Sequence, residues 1–218
     1  MLQRAGVKPE QFSFMAGLGS WNAPWERQLN NARWAAESPY TLRINGKIPF
    51  FPYLGVTAEV LGELRGKMRE AGFPDQLYLT SAWLGLFAQF NQGGGVVPEA
   101  SLAEARQALR EKLSYADGVV LISYHMHRDP AGDYTLMRRF YPELDEQYVS
   151  GLVDEVYREP VGQGKLLGVD VRHGYIGHMS GTNEAELGTA QLRSAMDSAL
   201  LFNPDIISMV EWNEANEN

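Results

Sequence analysis

Six short runs of apolar, aromatic or β-branched residues recur along this chain: Phe12 to Leu18, Ile48 to Leu54, Leu77 to Leu84, Val119 to Tyr124, Leu166 to Val171 and Ile206 to Trp212. Most are apolar almost without interruption, the pattern of strands covered on both faces. Helix-period stretches separate them, so the chain reads as successive βα units building a parallel sheet rather than a sandwich.

Punctuation residues bound the helices. Thr57 is placed to cap a helix ending at Gly72, and Ser101 with Glu104 three residues later forms a capping-box pattern. Tyr141-Pro142-Glu143 opens an amphipathic stretch to about Arg158, and Thr182 precedes a helix to about Phe202, stopped by Asn203-Pro204. Long loops follow strands, notably Gln89 to Pro98 with Gly93-Gly94-Gly95, and His125 to Thr135. They fall on the face where parallel sheets bind ligands.

The fold class expected is α/β, a (β/α)8 TIM-barrel type. Six units are too few for a closed barrel, which takes about 250 residues, so about two strands are expected to be missing in front and a last helix behind. Met1 to Gly6 reads as the final turn of a helix with nothing before it to start that helix, as at an internal cut. No linker or low-complexity segment appears, so residues 1–218 are expected to be one catalytic-type barrel domain, truncated at both ends.

Composition narrows the function. Of 218 residues, 44% are hydrophobic and 11% aromatic, enough for a real core. A net charge of -8 with 19 scattered Lys plus Arg argues against a nucleic-acid partner, which needs clustered cations. The absence of cysteine excludes disulfides, thiol nucleophiles and Cys-ligated zinc. No apolar run reaches the roughly 18 residues of a membrane span, and Met1 to Gly6 lacks a signal core. Gly17-Leu18-Gly19 lacks the third glycine and downstream acid of a dinucleotide fingerprint, and no Gly-x-Ser-x-Gly elbow is present. No cofactor is expected.

The last run leads into Glu211-Trp212-Asn213-Glu214-Ala215-Asn216-Glu217-Asn218. Glycosidic cleavage generally needs one carboxylic acid to protonate the leaving oxygen and a second carboxylate to activate water or attack. Glu214 and Glu217 are the candidates. Glu211 lies within the expected strand, and alternation puts it on the opposite face from Trp212 and Glu214. The rival reading is a solvated, frayed tail; the apolar strand before it and Trp212 weigh against that.

The stretch Ser208-Met209-Val210-Glu211-Trp212-Asn213-Glu214-Ala215-Asn216-Glu217 resembles the eighth-strand motif of glycoside hydrolase families 71 and 99: an aromatic, Asn, Asp or Glu, two residues, then Glu. Asn45-Gly46-Lys47-Ile48-Pro49-Phe50-Phe51 is similar to the opening of their fourth strand, which makes the six runs strands three to eight. The resemblance implies a (β/α)8 endo-acting hydrolase of α-linked polysaccharide or glycan, α-1,3-glucan for one family and α-mannoside for the other. It implies Glu214 and Glu217 as the catalytic pair, and a secreted or periplasmic location. Two features depart from the family: Ala215-Asn216 replaces the usual aromatic and Gly or His, and Glu211 is an extra acid.

Aromatics gather at the expected strand ends: Trp21, Trp25, Tyr53, Trp83, Phe87, Tyr124 and Tyr175. Sugars present flat C–H faces that pack on such rings, so Tyr53, Trp83, Tyr124 and Tyr175 join Trp212 and Asn213 as candidate substrate-binding residues, although each ring singly also suits core or rim packing. His125 and His127, with Asp129, have the spacing to mimic a metal site. No third ligand is evident, no metal is expected, and His125 reads as a partner for a sugar hydroxyl or carboxylate. Asp170, Arg172 and His173 end the fifth run; Arg172 is suited to pair with Asp170 or to hold a catalytic acid ionised, with a structural salt bridge as the plain alternative. Two rivals to the hydrolase stand: a non-catalytic carbohydrate-binding barrel or inactive fragment, and a metal-dependent hydrolase using His125 and His127.

Overall fold

The computed structural model describes residues 4, 6–10, 13–20, 24–53, 56–74, 76–122, 142–171, 175–177, 182–184 and 189–209. In chain order these form β1 (Ala16–Ser20), α1 (Trp25–Glu37), β2 (Pro49–Tyr53), α2 (Ala58–Glu70), β3 (Leu77–Ala82), α3 (Phe87–Gln92), α4 (Glu99–Tyr115) and β4 (Gly118–Leu121). There follow α5 (Pro142–Leu144), a π-helical turn (Asp145–Val149), α6 (Ser150–Arg158), β5 (Leu166–Val171), β6 (Tyr175–Gly177), β7 (Thr182–Glu184), α7 (Thr189–Leu201) and β8 (Ile206–Met209). Six strands make a parallel sheet in the order β1-β2-β3-β4-β5-β8, the pattern of an incomplete (β/α) barrel, while β6 and β7 form an antiparallel ribbon.

Contacts divide the chain into two compact units: Met1–Ser81 with Tyr115–Val119, and Ala82–Ser114 with Val120–Asn218. The first is built on an apolar cluster. Ala32 and Ala35 of α1 and Leu61, Leu64 and Met68 of α2 pack with Ala16, Leu18, Ile48, Phe50 and Tyr78 of the strands or their approaches. Phe50 is fully buried and meets Phe73 and Tyr78 edge-on, with centroids 6.3 and 5.8 Å apart. Thr57 caps α2 by accepting the Val60 N–H at 3.3 Å, and Gly72, at φ +95°, lets the chain leave beyond its end.

The second unit buries Leu102, Ala105, Leu109 and Leu113 of α4, Leu152, Val153 and Val156 of α6, and all of β5 after Leu166. Arg110 donates from Nε and Nη2 to both oxygens of Glu159 at 2.8 and 2.6 Å, and Arg106 reaches Glu155 at 2.9 Å. The Arg110 hydrogen bond holds the Glu159 carboxyl below its usual range. These partly exposed pairs lie near the surface, where an ion pair contributes little net stability.

One device recurs where strands begin. The residue before a strand accepts, through its side chain, the backbone N–H of a residue at the start of the neighbouring strand. That residue's carbonyl then accepts an N–H from the incoming chain. Gln76 Oε1 takes the Ile48 N–H at 2.7 Å and Leu77 N–H returns to Ile48 at 3.1 Å. Asp117 Oδ2 takes the Tyr78 N–H while Asp117 N–H returns to Tyr78, both at 2.8 Å. Asp205 does the same to Leu167, again at 2.8 Å in both directions. Asp117 is also paired with Arg65, whose guanidinium lies 4.8 Å from the Tyr78 ring centroid.

Several local expectations shift. The Ser101 capping box does not open α4, because Pro98, with its fixed φ, precedes the helix and its carbonyl already accepts the Ser101 and Leu102 N–H groups. Thr182 starts β7, and α7 begins at Thr189. β1 runs Ala16–Ser20 rather than from Phe12 to Leu18, and the Gln89 to Pro98 stretch contains part of α3.

Candidate active site

The C-terminal ends of the parallel strands are Ser20, Tyr53, Ala82, Leu121, Val171 and Met209, the side on which barrel enzymes carry chemistry. Tyr53 closes β2, and Trp83 follows the last residue of β3 directly with 60% of its surface exposed. The Ala82 carbonyl beside it accepts the Ile122 N–H at 2.9 Å, at the exit of β4. Tyr175 is the first residue of β6, paired with Glu184 of β7, so it belongs to a short ribbon rather than to the end of β5. Phe87 opens α3, and Trp25 opens α1 and packs on the first unit's core. Tyr124, His125, Arg172, His173, Trp212, Asn213, Glu214 and Glu217 lie outside the described residues, as do Trp21, His127, Asp129 and Glu211.

The best-defined part of this face is the β5–β8 ladder, where Gly168, Val169, Asp170 and Val171 lie opposite Ile206, Ile207, Ser208 and Met209. Asp170 is 2% exposed. Ile206 is buried and Ile207 exposed, so the two sides of β8 are distinct. A Cβ added to Gly168 would come within 3.0 Å of Val120 Cγ2, which means Val120 fills the room the glycine leaves.

The amphipathic stretch expected from Tyr141 to about Arg158 is helical from Pro142, and its packing against the Gly93-Gly94-Gly95 run was not legible in the sequence. The π-helical turn at Asp145–Val149 carries Tyr148, whose hydroxyl donates to the Gly95 carbonyl at 3.3 Å and whose ring meets Phe90 edge-on at 6.1 Å. The Gly93-Gly94-Gly95 run is thereby tied down. Gly94 and Gly95 have φ of +63° and +94°, and a Cβ on Gly93 would fall 2.2 Å from the Val96 carbonyl oxygen. Asp145 in the same turn is 4% exposed, and burial pushes its carboxyl up to about 7. Its signal was present: an acid next to Leu144 on the apolar face of the stretch beginning at Pro142.

Among the described residues no group of three or more His, Cys, Asp or Glu side chains could hold a metal ion. A cavity of about 500 Å³ lies at the N-terminal end of β5, lined by Ser150, Asp154, Tyr157, Leu201, Phe202 and Asp205 among others, away from the strand ends that carry the candidates. No described helix is long and apolar enough to cross a membrane.

No protein-family model matches the chain, and no curated protein matches it by sequence. Its fold is similar to two structures of the GH99 endo-alpha-mannosidase from Bacteroides thetaiotaomicron, one of them in complex with bis-tris-propane, at TM-scores of 0.53 and 0.54 and 15% identity. The alignments cover 94% and 95% of this chain but only 54% and 58% of the others, so the chain spans a little over half the length of the proteins it matches. The glycoside hydrolase barrel resemblance read from the sequence therefore holds at the level of the fold.

Proposed function

We propose that residues 1–218 are one barrel-type domain of a cofactor-independent glycoside hydrolase acting on α-linked polysaccharide or glycan, of the α-mannoside or α-1,3-glucan class. Glu214 and Glu217 are its carboxylate pair. One observation carries the reading: β8, the last strand of a barrel sheet similar to that of an endo-alpha-mannosidase, is paired in register with β5 up to Met209, and the sequence then runs into Trp212-Asn213-Glu214 and Glu217.

One of the pair protonates the leaving glycosidic oxygen while the other activates water or attacks the anomeric carbon. A carboxylate separation of about 5 Å implies retention and about 6.5–9.5 Å inversion. Trp212, Asn213, Tyr53, Trp83, Tyr124, His125, Arg172, His173 and Tyr175 are assigned to the sugar-binding cleft, and the exposed ring of Trp83 suits stacking on a pyranose face. A secreted or periplasmic location accords with such a substrate.

The test is reducing-sugar release from a panel of α-mannans and α-glucans, with and without chelator. Turnover indifferent to chelator supports the proposal, and chelator-sensitive turnover selects the metal-dependent rival. Saturable glycan binding with no release selects the second reading, a non-catalytic carbohydrate-binding barrel, which the exposed Trp83 also fits.

A further inference from the structure

We propose that the cavity between α6, the end of α7 and the start of β5 is a second sugar-binding site, remote from the strand ends assigned to cleavage. That the sugar is a unit of the substrate glycan rests on the reading above; the site stands on its own chemistry. The cavity holds about 500 Å³, within the roughly 300–1,000 Å³ of ligand pockets. Its described lining residues all belong to the second compact unit.

Hydrogen bonds already made in its wall decide what it accepts. Ser150 donates its hydroxyl proton to the Glu146 carbonyl at 3.3 Å, and Tyr157 donates its own to the Leu166 carbonyl at 2.9 Å. The Leu167 N–H is committed to Asp205 Oδ2 at 2.8 Å. What these groups offer a ligand is acceptor capacity: hydroxyl lone pairs, and the carboxylates of Asp154 and Asp205, which when ionised only accept. Among the described lining side chains, the Asn203 amide is the one with protons still to give. A ligand for this wall must bring several donors.

Polyols and ammonium groups both do. Arg158 already pairs with Asp154, setting a guanidinium against one of the two carboxylates, so neutral hydroxyl donors fit better than a second cation. The rings of Tyr157 and Phe202, with Leu167 and Leu201, supply apolar surface for the C–H face of a pyranose.

Gly151 is an independent sign. It stands inside a helix, where glycine is the weakest former after proline, yet a Cβ added there would meet nothing within 4 Å. No neighbour asks for a glycine at this place, and the residue lines the cavity.

The experiment follows the Val153, Leu167 and Leu201 methyl signals of the full chain by NMR as methyl α-mannoside, methyl α-glucoside or putrescine is added. The wild type is compared with Gly151→Leu, which fills the cavity, and Phe202→Ala, which removes a ring; circular dichroism checks each fold. At least one sugar is expected to give saturable shifts at these methyl groups, and each variant to weaken its binding by at least about tenfold, the scale of losing a central contact. If one variant does not fold, the other and the wild-type titration still decide. No shift with either sugar, or unchanged affinity in the folded variants, overturns the proposal, and shifts with putrescine alone overturn it in favour of a cation site. Glycan turnover is measured alongside. A wild type that cleaves glycan but shows no sugar shifts here overturns this site alone; sugar shifts without cleavage of any glycan support the site and overturn the parent reading.

Discussion

Asp205 and Leu167 hold each other from both sides: the Asp205 backbone N–H donates to the Leu167 carbonyl, and the Leu167 N–H donates to the Asp205 carboxylate, each at 2.8 Å. A neighbouring strand begins with an N–H that has no ladder partner yet, and the acid supplies one, which pins β8 to β5 one residue before their first ladder pair. Asp205→Ala is expected to cost about 1 kcal/mol, whereas Asp205→Asn keeps an acceptor and should lose less. Urea unfolding checks this; an Ala variant as stable as the wild type would show that the exchange contributes nothing.

Asp145 makes stability depend on pH. Its carboxyl titrates near 7 in the folded chain against 3.8 ordinarily, because burial disfavours the charge. The neutral form is therefore the one the fold accommodates. Its contribution is present in full below the unfolded value and is lost as pH rises through about 7. The difference between the two values corresponds to at most about 4 kcal/mol. Urea midpoints measured from pH 4 to 8 should fall more steeply for the wild type than for Asp145→Asn, and parallel curves would contradict the assignment.

Gly93 and Gly94 should respond differently to alanine, although they are adjacent. Gly94→Ala meets no neighbour and pays only for its positive φ, about 1 kcal/mol. Gly93→Ala would place a methyl group 2.2 Å from the Val96 carbonyl oxygen, so backbone must move. Thermal unfolding should rank Gly93→Ala well below Gly94→Ala, with quenched contact between Phe90 and Tyr148 visible in near-ultraviolet circular dichroism. Equal melting temperatures would contradict the close approach.

Near-continuous apolar runs made the strands legible, since a strand covered on both faces has few alternatives; β5 occupies the very residues that its run predicts. The bounds of α1 were not legible, because its N-cap, Pro24, makes no side-chain hydrogen bond and no glycine follows directly on Glu37. The Thr57 cap was read correctly because one side chain decides it. The Ser101 box failed because Pro98 competes for the same turn. In the site, the motif beyond β8 and the aromatic Trp83 could be singled out from residue type. Asp170's burial and its pairing with Ser208 could not, because register arises between strands far apart in sequence.

The carboxylate pair is tested by the turnover of an α-mannan or α-1,3-glucan by Glu214→Gln and Glu217→Gln beside the wild type, with glycan affinity measured for each. Both variants are expected to fold and bind glycan while kcat falls by at least about 10³-fold in each, the scale of removing an essential group. Wild-type turnover persisting in both variants would contradict it.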